Sequence, residues 1–128
     1  MNIKSLYFLK NKKGVSEKLV AKWYEVANKT LDQNDEIMKS HTGVMDDESG
    51  HLILSKKKIL FVEEKGTFSK SYNITLDIPY EIISKISDVG DKEIEITDKK
   101  GNRYLFEPSS SLNLVTMIED EIKRFKET

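Results

Sequence analysis

The sequence contains no cysteine, which excludes a disulfide framework, a thiolate nucleophile and a thiolate metal site. This absence suits the reducing environment of the cytosol. Long hydrophobic runs are missing as well. The apolar stretch nearest the N-terminus, Leu6–Leu9, is far shorter than a signal-peptide core or a membrane-spanning helix. We therefore expect a soluble, cytoplasmic protein and leave open its association with a membrane surface.

No charge of one sign dominates the chain. Charged residues make up 34% of the 128 residues, yet the net charge is only -1. A dedicated nucleic-acid-binding protein normally carries a basic excess that meets the phosphates. The composition therefore predicts no nucleic-acid partner, and the length predicts one domain around one core.

Residues with catalytic potential are scarce. The two histidines, His41 and His51, have no neighbours at the spacing of a metal pair or of a base and its nucleophile. The acidic turn Asp46–Glu48 lacks the alternating oxygen ligands of a calcium loop. We expect no catalytic residue, no metal site and no cofactor, and we interpret both histidines as structural.

The sequence does contain a dense set of strand patterns, centred on Gly50–Glu63. Leu52 and Leu54 are two residues apart, the period at which side chains of a strand share a face, and this spacing predicts a strand. Ile59–Val62 is a short apolar run. Such a run is typical of a strand whose two faces are both covered. With the lysine turn Lys56–Lys58 between them, the two segments predict a β-hairpin.

Further strands are predicted on both sides of this hairpin. A short strand or arm is expected at Leu6–Leu9, and the other predicted strands are Asp35–Met45, Tyr72–Ile78, Tyr80–Ser87, Glu93–Thr97 and Arg103–Phe106.

Two amphipathic helices flank the strands. The first is predicted at Glu17–Leu31, with Ser16 as its N-cap, and Trp23 is expected to pack on the strand domain, although a helix lying on a membrane is an alternative. The last helix is predicted at Ser111–Lys126, and its core-facing residues are Val115, Ile118, Ile122 and Phe125.

Taken in order, several segments resemble the PH-like superfold, and they are most similar to GRAM and prokaryotic PH-like domains. They are a Gly-Xaa-Leu-Xaa-Leu strand, a Ser-Lys-Lys-Lys turn, an Ile-Leu-Phe strand, an Ile-Pro-Tyr-Glu-Ile-Ile-Ser-Lys-Ile segment, a Gly-Asn-Arg-Tyr-Leu-Phe arm and a terminal helix. A relation to the GLUE domain of the ESCRT-II complex is left open.

This resemblance covers Asp35–Thr128. It implies a mainly β (α+β) fold, in which two antiparallel sheets form a barrel of about seven strands with a C-terminal capping helix. The N-terminal helix is an addition to this pattern. We expect residues 1–34 to form an arm and an amphipathic helix packed on the domain 35–128. Domains of this kind are typically recognition modules and are not usually enzymes.

Alternation of strand direction places three loops at one end of such a barrel. Two of these loops carry the residues that we call the predicted rim, Lys65, Phe68, Lys70, Lys99, Lys100 and Arg103. Cations around an exposed aromatic residue suit an anionic membrane surface. Phosphoinositide-binding PH domains usually carry their key basic residues on the first two strands and the loop between them. In this sequence that loop is the third one, and it holds the acidic residues Asp46–Glu48 instead. Phe68 has an alternative interpretation as a loop residue folded back on the core.

Two functions remain open from the sequence. The protein is expected to bind anionic lipid headgroups, a protein partner or both, and the alternative is an adaptor that binds a peptide or ubiquitin without lipid. A homo-oligomer built through the N-terminal helix is a further possibility.

Overall fold

The computed structural model describes residues 6–10, 17–110 and 113–127. Within them lie nine strands and two helices: β1 (Leu6–Lys10), β2 (Glu17–Ala21), α1 (Lys22–Thr30), β3 (Ile37–Met45), β4 (Glu48–Ser55), β5 (Lys58–Lys65), β6 (Ser71–Pro79), β7 (Ile83–Val89), β8 (Glu93–Asp98), β9 (Arg103–Pro108) and α2 (Leu114–Glu127). The predicted series of seven strands closed by a C-terminal helix is confirmed.

Strands β3 to β9 form one antiparallel sheet with the order β6-β5-β4-β3-β9-β8-β7, while β1 and β2 form a separate two-stranded antiparallel sheet. Gly43–Met45 of β3 pair with Phe106–Pro108 of β9 and join the two halves of the large sheet. The edge strands β6 and β7 are connected by only the short 3₁₀ turn Tyr80–Ile82. Because three residues link opposite edges, the sheet must curl back on itself and enclose a core.

The first core lies inside this curled sheet and is closed by α2. Ile118 of α2 is fully buried in it, and Val115, Ile122 and Phe125 pack against it while partly buried. The predicted core-facing side of the last helix is therefore confirmed. The buried members are Met45, Leu52, Leu54, Ile59, Phe61, Leu76, Ile78, Tyr80, Ile83, Ile94, Ile96, Phe106, Leu114 and Ile118.

Close packing at the β3–β9 pairing requires glycine at position 43. A Cβ atom on Gly43 would lie 2.3 Å from the carbonyl oxygen of Glu107 and 2.4 Å from the ring of Phe106. Both distances are far inside van der Waals contact, so any side chain would push β9 away from β3.

A second core lies on the outer face of β4, β5 and β6, beneath α1. Its buried members are Ala27, Ile53, Leu60, Val62 and Tyr72, and Trp23, Val26, Leu31, Ile37 and Ile74 pack against them. The two cores explain the apolar run of β5: Ile59 and Phe61 belong to the first core, and Leu60 and Val62 to the second.

Strand β6 contributes to both cores because it contains a register shift. Phe61 pairs with Leu76, but Val62 pairs with Ile74, so Thr75 is passed over. An extra residue of this kind turns the following side chains to the opposite face. Leu76 therefore enters the first core, while Ile74 packs under α1.

The predicted start of the first helix is wrong. Residues 17–21 form β2 and pair with β1, from Lys10 opposite Glu17 to Leu6 opposite Ala21. The helix begins at Lys22, after Ala21, whose side chain makes no capping hydrogen bond. Pairing with β1 satisfies backbone groups that a longer helix would otherwise use. Ser16, the predicted N-cap, lies outside the described residues.

The strand predicted at Tyr80–Ser87 begins at Ile83, because Tyr80–Ile82 form the 3₁₀ turn. Tyr80 anchors this turn: its backbone N–H donates to the carbonyl of Lys57 (3.0 Å), and its hydroxyl donates to the carbonyl of Ser55 (2.5 Å). The last helix is described from Leu114 onward, and Ser111 lies outside the described residues. Neither α1 nor α2 is long and apolar enough to cross a membrane.

Candidate functional site

The loop between β5 and β6, residues Gly66–Lys70, presents the most exposed large apolar side chain of the described residues. Phe68 at its tip is 96% exposed. Gly66 allows the tight turn, since it has a φ of +104° and a Cβ there would lie 2.2 Å from the carbonyl oxygen of Ser69. We call these five residues the Phe68 loop. The alternative in which Phe68 folds back on the core is wrong.

Both lysines at the base of the Phe68 loop are in ion pairs. Lys65 Nζ lies 3.3 Å from Glu63 Oε1 and 3.7 Å from Glu48 Oε1, and these contacts raise the pKa of Lys65. The contact with Glu48 places the start of β4 beside the Phe68 loop, as the sequence predicts. Two carboxylates of the same surface therefore neutralise the charge of Lys65.

Lys70 is paired with Glu64, its Nζ lying 3.1 Å from Oε2 of the carboxylate. Burial alone would raise the pKa of Glu64, but side-chain hydrogen bonds with Lys70 and Tyr72 lower it. Glu64 thus remains charged at neutral pH and neutralises Lys70.

The β3–β4 turn adds further negative charge at this end of the sheet. Asp46 and Asp47 are exposed and adopt the left-handed conformation, with φ of 52° and 64°. Aspartate tolerates this conformation better than most residues. The carboxylates in contact with Lys65 and Lys70 are Glu48, Glu63 and Glu64, and Asp46 and Asp47 directly precede Glu48 in the chain. The surroundings of Phe68 are therefore acidic.

The remaining residues of the predicted rim lie on the β8–β9 turn, which is anchored elsewhere. The backbone N–H of Lys99 donates to the carbonyl of Ile82 (2.8 Å), just after the end of β6 at Pro79. The Phe68 loop instead leads into the beginning of β6 at Ser71. The two basic loops are thus tied to opposite ends of β6, and the predicted rim divides into two groups. The prediction that three loops share one end is wrong for the β8–β9 turn, because its hydrogen bond to Ile82 holds it near Pro79, at the end of β6 opposite the Phe68 loop.

The β8–β9 turn is held by a buried carboxylate. Asp98 accepts hydrogen bonds from the backbone N–H groups of Lys100 and Asn102 (both 2.9 Å) and from the side-chain amide of Asn102 (3.0 Å). Lys100 and Arg103 are exposed on this rigid turn. Asp98 therefore fixes the backbone that carries the second basic group.

The histidines take different positions from each other. His51 stacks on Trp23, and burial lowers its pKa despite the opposing charge of Glu64. His41 is half-buried on β3, and its Nε2 atom is buried without a hydrogen-bond partner among the described residues. Within residues 6–10, 17–110 and 113–127, no three acidic or imidazole groups are clustered for a metal ion.

A groove between the edge strand β7 and α2 was not apparent from the sequence. It encloses about 530 Å³, and its apolar residues are Ile83, Ile86 and Ile122. Its charged residues are Lys85, Glu119, Lys123, Lys126 and Glu127. β7 pairs with β8 on one side only, so the other edge of the strand borders the groove.

Comparisons with known proteins identify the fold. No family model and no curated protein matches the chain. Among the solved structures that resemble it are two crystal structures. One is the C-terminal domain of an unknown protein from Leishmania infantum (TM-score 0.57, 12% identity, 80% of this chain and 93% of that one), and the other is a DUF1696 family protein with a pleckstrin-homology domain from Shewanella loihica (TM-score 0.52, 13% identity, 81% of this chain and 90% of that one).

At these identities the likeness establishes the fold alone. The seven antiparallel strands, the C-terminal helix and the second structure together define a PH-like α+β fold. The predicted fold class is confirmed, whereas membership of the GRAM or GLUE families stays a prediction.

Proposed function

We propose that this protein is a non-enzymatic recognition module that binds a protein partner through the Phe68 loop. The observation that carries the proposal is the exposure of Phe68. An aromatic side chain is a typical anchor of protein interfaces, because it buries a large area with little loss of side-chain freedom. A phenyl ring that is 96% exposed gains most from a pocket on a partner.

The charges around Phe68 favour a protein over an anionic membrane. Each cation near a membrane of anionic lipids contributes about 1 kcal/mol of attraction. Here three carboxylates, Glu48, Glu63 and Glu64, lie against the two lysines Lys65 and Lys70, so the local charge is not positive and an anionic membrane gains little attraction. A partner with a basic border around an apolar pocket matches both the ring and the carboxylates.

Affinity capture with quantitative mass spectrometry tests the proposal. The wild-type protein is compared with Phe68→Ser and with the control Leu105→Ser, which changes an apolar residue that is 39% exposed on β9. We expect one protein to be retained by the wild type and the control and lost with Phe68→Ser. Its purified form should then bind with a Kd at least tenfold weaker for Phe68→Ser. Equal retention by all three proteins would refute the role of Phe68.

Sedimentation with vesicles distinguishes a membrane from a protein partner. Vesicles of phosphatidylcholine and phosphatidylserine are used at low salt, where electrostatic attraction is strongest. We expect the protein to stay in the supernatant. Sedimentation that disappears with Phe68→Ser and with Lys65→Glu/Lys70→Glu would establish an anionic membrane as the ligand instead.

A second candidate function is the binding of an extended peptide at the β7 edge. The open edge of β7 can accept backbone hydrogen bonds from an added strand. Three lysines and two glutamates border the groove, and none of the lysines is in an ion pair with another described residue. This balance favours a peptide with acidic residues. Lys85→Glu should weaken such binding, while Lys92→Glu, outside the groove, should not.

A further inference from the structure

A separate cavity lies beside the β4–β5 turn, at the end of β5 opposite the Phe68 loop. It has a volume of about 370 Å³ and is bordered by the β4–β5 turn, the start of β3 and the last turns of α2. Met38 and Phe125 supply its apolar walls, and Lys56, Lys57, Glu121 and Arg124 supply its charged groups. Its size falls within the range of small-molecule sites.

The apolar wall at Phe125 is held in a fixed position. The Phe125 ring packs edge-on against Tyr80, with centroids 5.8 Å apart and an interplanar angle of 68°. Tyr80 is fully buried and is tied by its hydroxyl to the carbonyl of Ser55. This wall therefore exists before any ligand arrives.

The β4–β5 turn on the other side is fixed by a buried carboxylate. Asp35 is only 5% exposed and accepts hydrogen bonds from the Ser55 hydroxyl (2.8 Å) and from the backbone N–H of Lys56 (2.9 Å). These bonds attach the segment that precedes β3 to the turn. The backbone that carries Lys56 is thus rigid, while its side chain reaches solvent.

The charged group at the base of the cavity is Glu121, which is 3% exposed. Arg124 donates to both of its carboxylate oxygens through one guanidinium nitrogen (3.2 and 3.3 Å), and Lys39 Nζ lies 3.4 Å away. Two cations face one carboxylate, so the cluster retains positive charge. A guanidinium has five N–H donors, and only one of its nitrogens is engaged by Glu121.

The other cations at the mouth exchange partners at little cost. Lys56 pairs with Glu36 (3.0 Å) and Lys57 with Asp32 (3.3 Å), and all four side chains are at least 40% exposed. Exposed pairs of this kind contribute at most about 1 kcal/mol. An incoming anion can therefore replace the carboxylate on Lys56 or Lys57.

We propose that this cavity binds a small carboxylic acid with an aliphatic tail. The tail lies between Met38 and Phe125, and the carboxylate is bound by Arg124, whose planar fork matches a carboxylate. Glu121 is already paired with Arg124 and Lys39, so the net positive charge of the cluster disfavours an amine beside Arg124. The proposal is independent of the Phe68 loop and of the proposed protein partner.

Octanoate, octylamine and octanol serve as matched probes in calorimetric titrations and ¹⁵N NMR spectra of the full chain. We expect octanoate to bind saturably at one site and to shift the amide signals of Met38, Lys56 and Arg124. Octanol and octylamine should bind at least tenfold more weakly. Tighter binding of octylamine than of octanoate would overturn the assignment of the carboxylate to Arg124.

Variants separate this site from general hydrophobic adsorption. Met38→Glu places a negative charge on an exposed wall and should weaken octanoate binding at least tenfold, whereas Leu105→Glu, on β9, should leave it unchanged. Arg124→Gln should weaken it similarly, and Lys126→Gln, in the same helical turn, should not. Because loss of Arg124 also removes a partner of buried Glu121, Met38→Glu decides the question if Arg124→Gln unfolds. Equal affinity of Met38→Glu and the wild type would refute the site.

Discussion

The imidazole ring of His51 stacks on the indole of Trp23, with ring centroids 4.4 Å apart and an angle of 14° between the planes. This contact joins α1 to β4 at the border of the second core. His51 also lies close enough to Glu64 to feel its charge. The packing of α1 on the sheet therefore involves His51, whose protonation depends on pH.

Stability should fall as the solution becomes mildly acidic. Burial lowers the pKa of His51 and of His41 below the usual value of 6.5. The unfolded chain therefore takes up protons first, and the stability present above pH 6.5 is lost as the pH falls through the lowered values. Urea unfolding at pH 7.5 and at pH 5.5 measures the difference.

The double variant His41→Gln/His51→Gln provides the control for this pH dependence. It should show a smaller change in unfolding free energy between the two pH values than the wild type. A change of the same size would assign the effect to other groups.

Removing the Trp23 side chain should destabilise the second core. Large-to-alanine changes of fully buried aromatic residues cost about 3–5 kcal/mol, and for the half-buried Trp23 we expect about 2 kcal/mol. Denaturant unfolding of Trp23→Ala measures this cost, with exposed Lys22→Ala as the control. Acrylamide should quench the single tryptophan less than it quenches free indole, and full access would contradict the packing of α1.

Gly43→Ala should weaken the pairing of β3 with β9. The added methyl group would overlap the Glu107 carbonyl and the Phe106 ring, and overpacking of this kind costs about 1–3 kcal/mol. Ser40→Ala, an exposed change on the same strand, should be nearly neutral. Thermal unfolding of both variants measures the difference. Equal melting temperatures would show that β9 moves away from residue 43 with no loss of stability.

The Asp98 turn should respond to strong acid. Hydrogen bonds from the side chain of Asn102 and from backbone N–H groups lower the pKa of Asp98 below 3.8, although burial opposes them. Its stabilising effect is therefore present above pH 3.8 and is lost as the pH falls through the lowered value. An NMR titration of the carboxyl carbon should show a midpoint below 3.8, and Asp98→Asn should remove the effect while exposed Asp88→Asn should not.

Much of the sheet was predictable because its signals are local. Alternating and apolar segments identified all seven strands, and the run Ile59–Val62 also indicated a strand covered on both faces. The apolar run did not indicate which element covers the outer face of β5. That required the helix stripe around Trp23 and Ala27 to be docked on Leu60 and Val62, a contact between distant parts of the chain.

The first helix was placed wrongly at its start because Glu17–Ala21 continues the helical spacing of apolar residues. A partner strand decides such an ambiguous segment, and Leu6–Lys10 supplies it. Helix propensity is a weak preference that tertiary pairing can override. The antiparallel pairing of these two segments identifies them as strands.

The candidate site was predicted only in part. Loop composition indicated Phe68, Lys65 and Lys70, and the structure brings them together. The pairing of Lys65 with Glu48 depends on strand register, and the separation of Lys99 from this group depends on how tightly the sheet curls. Neither property is encoded in a local pattern of residue types.

The helix α1 packs on strands that follow it in the chain, and this order affects when α1 can fold during synthesis. Residues 22–30 leave the ribosome before Ile53, Leu60, Val62 and Tyr72, on which α1 packs. A nine-residue helix is too short to be stable alone in water. We therefore expect the segment that is made early to become helical late, after the strands on which it packs have paired.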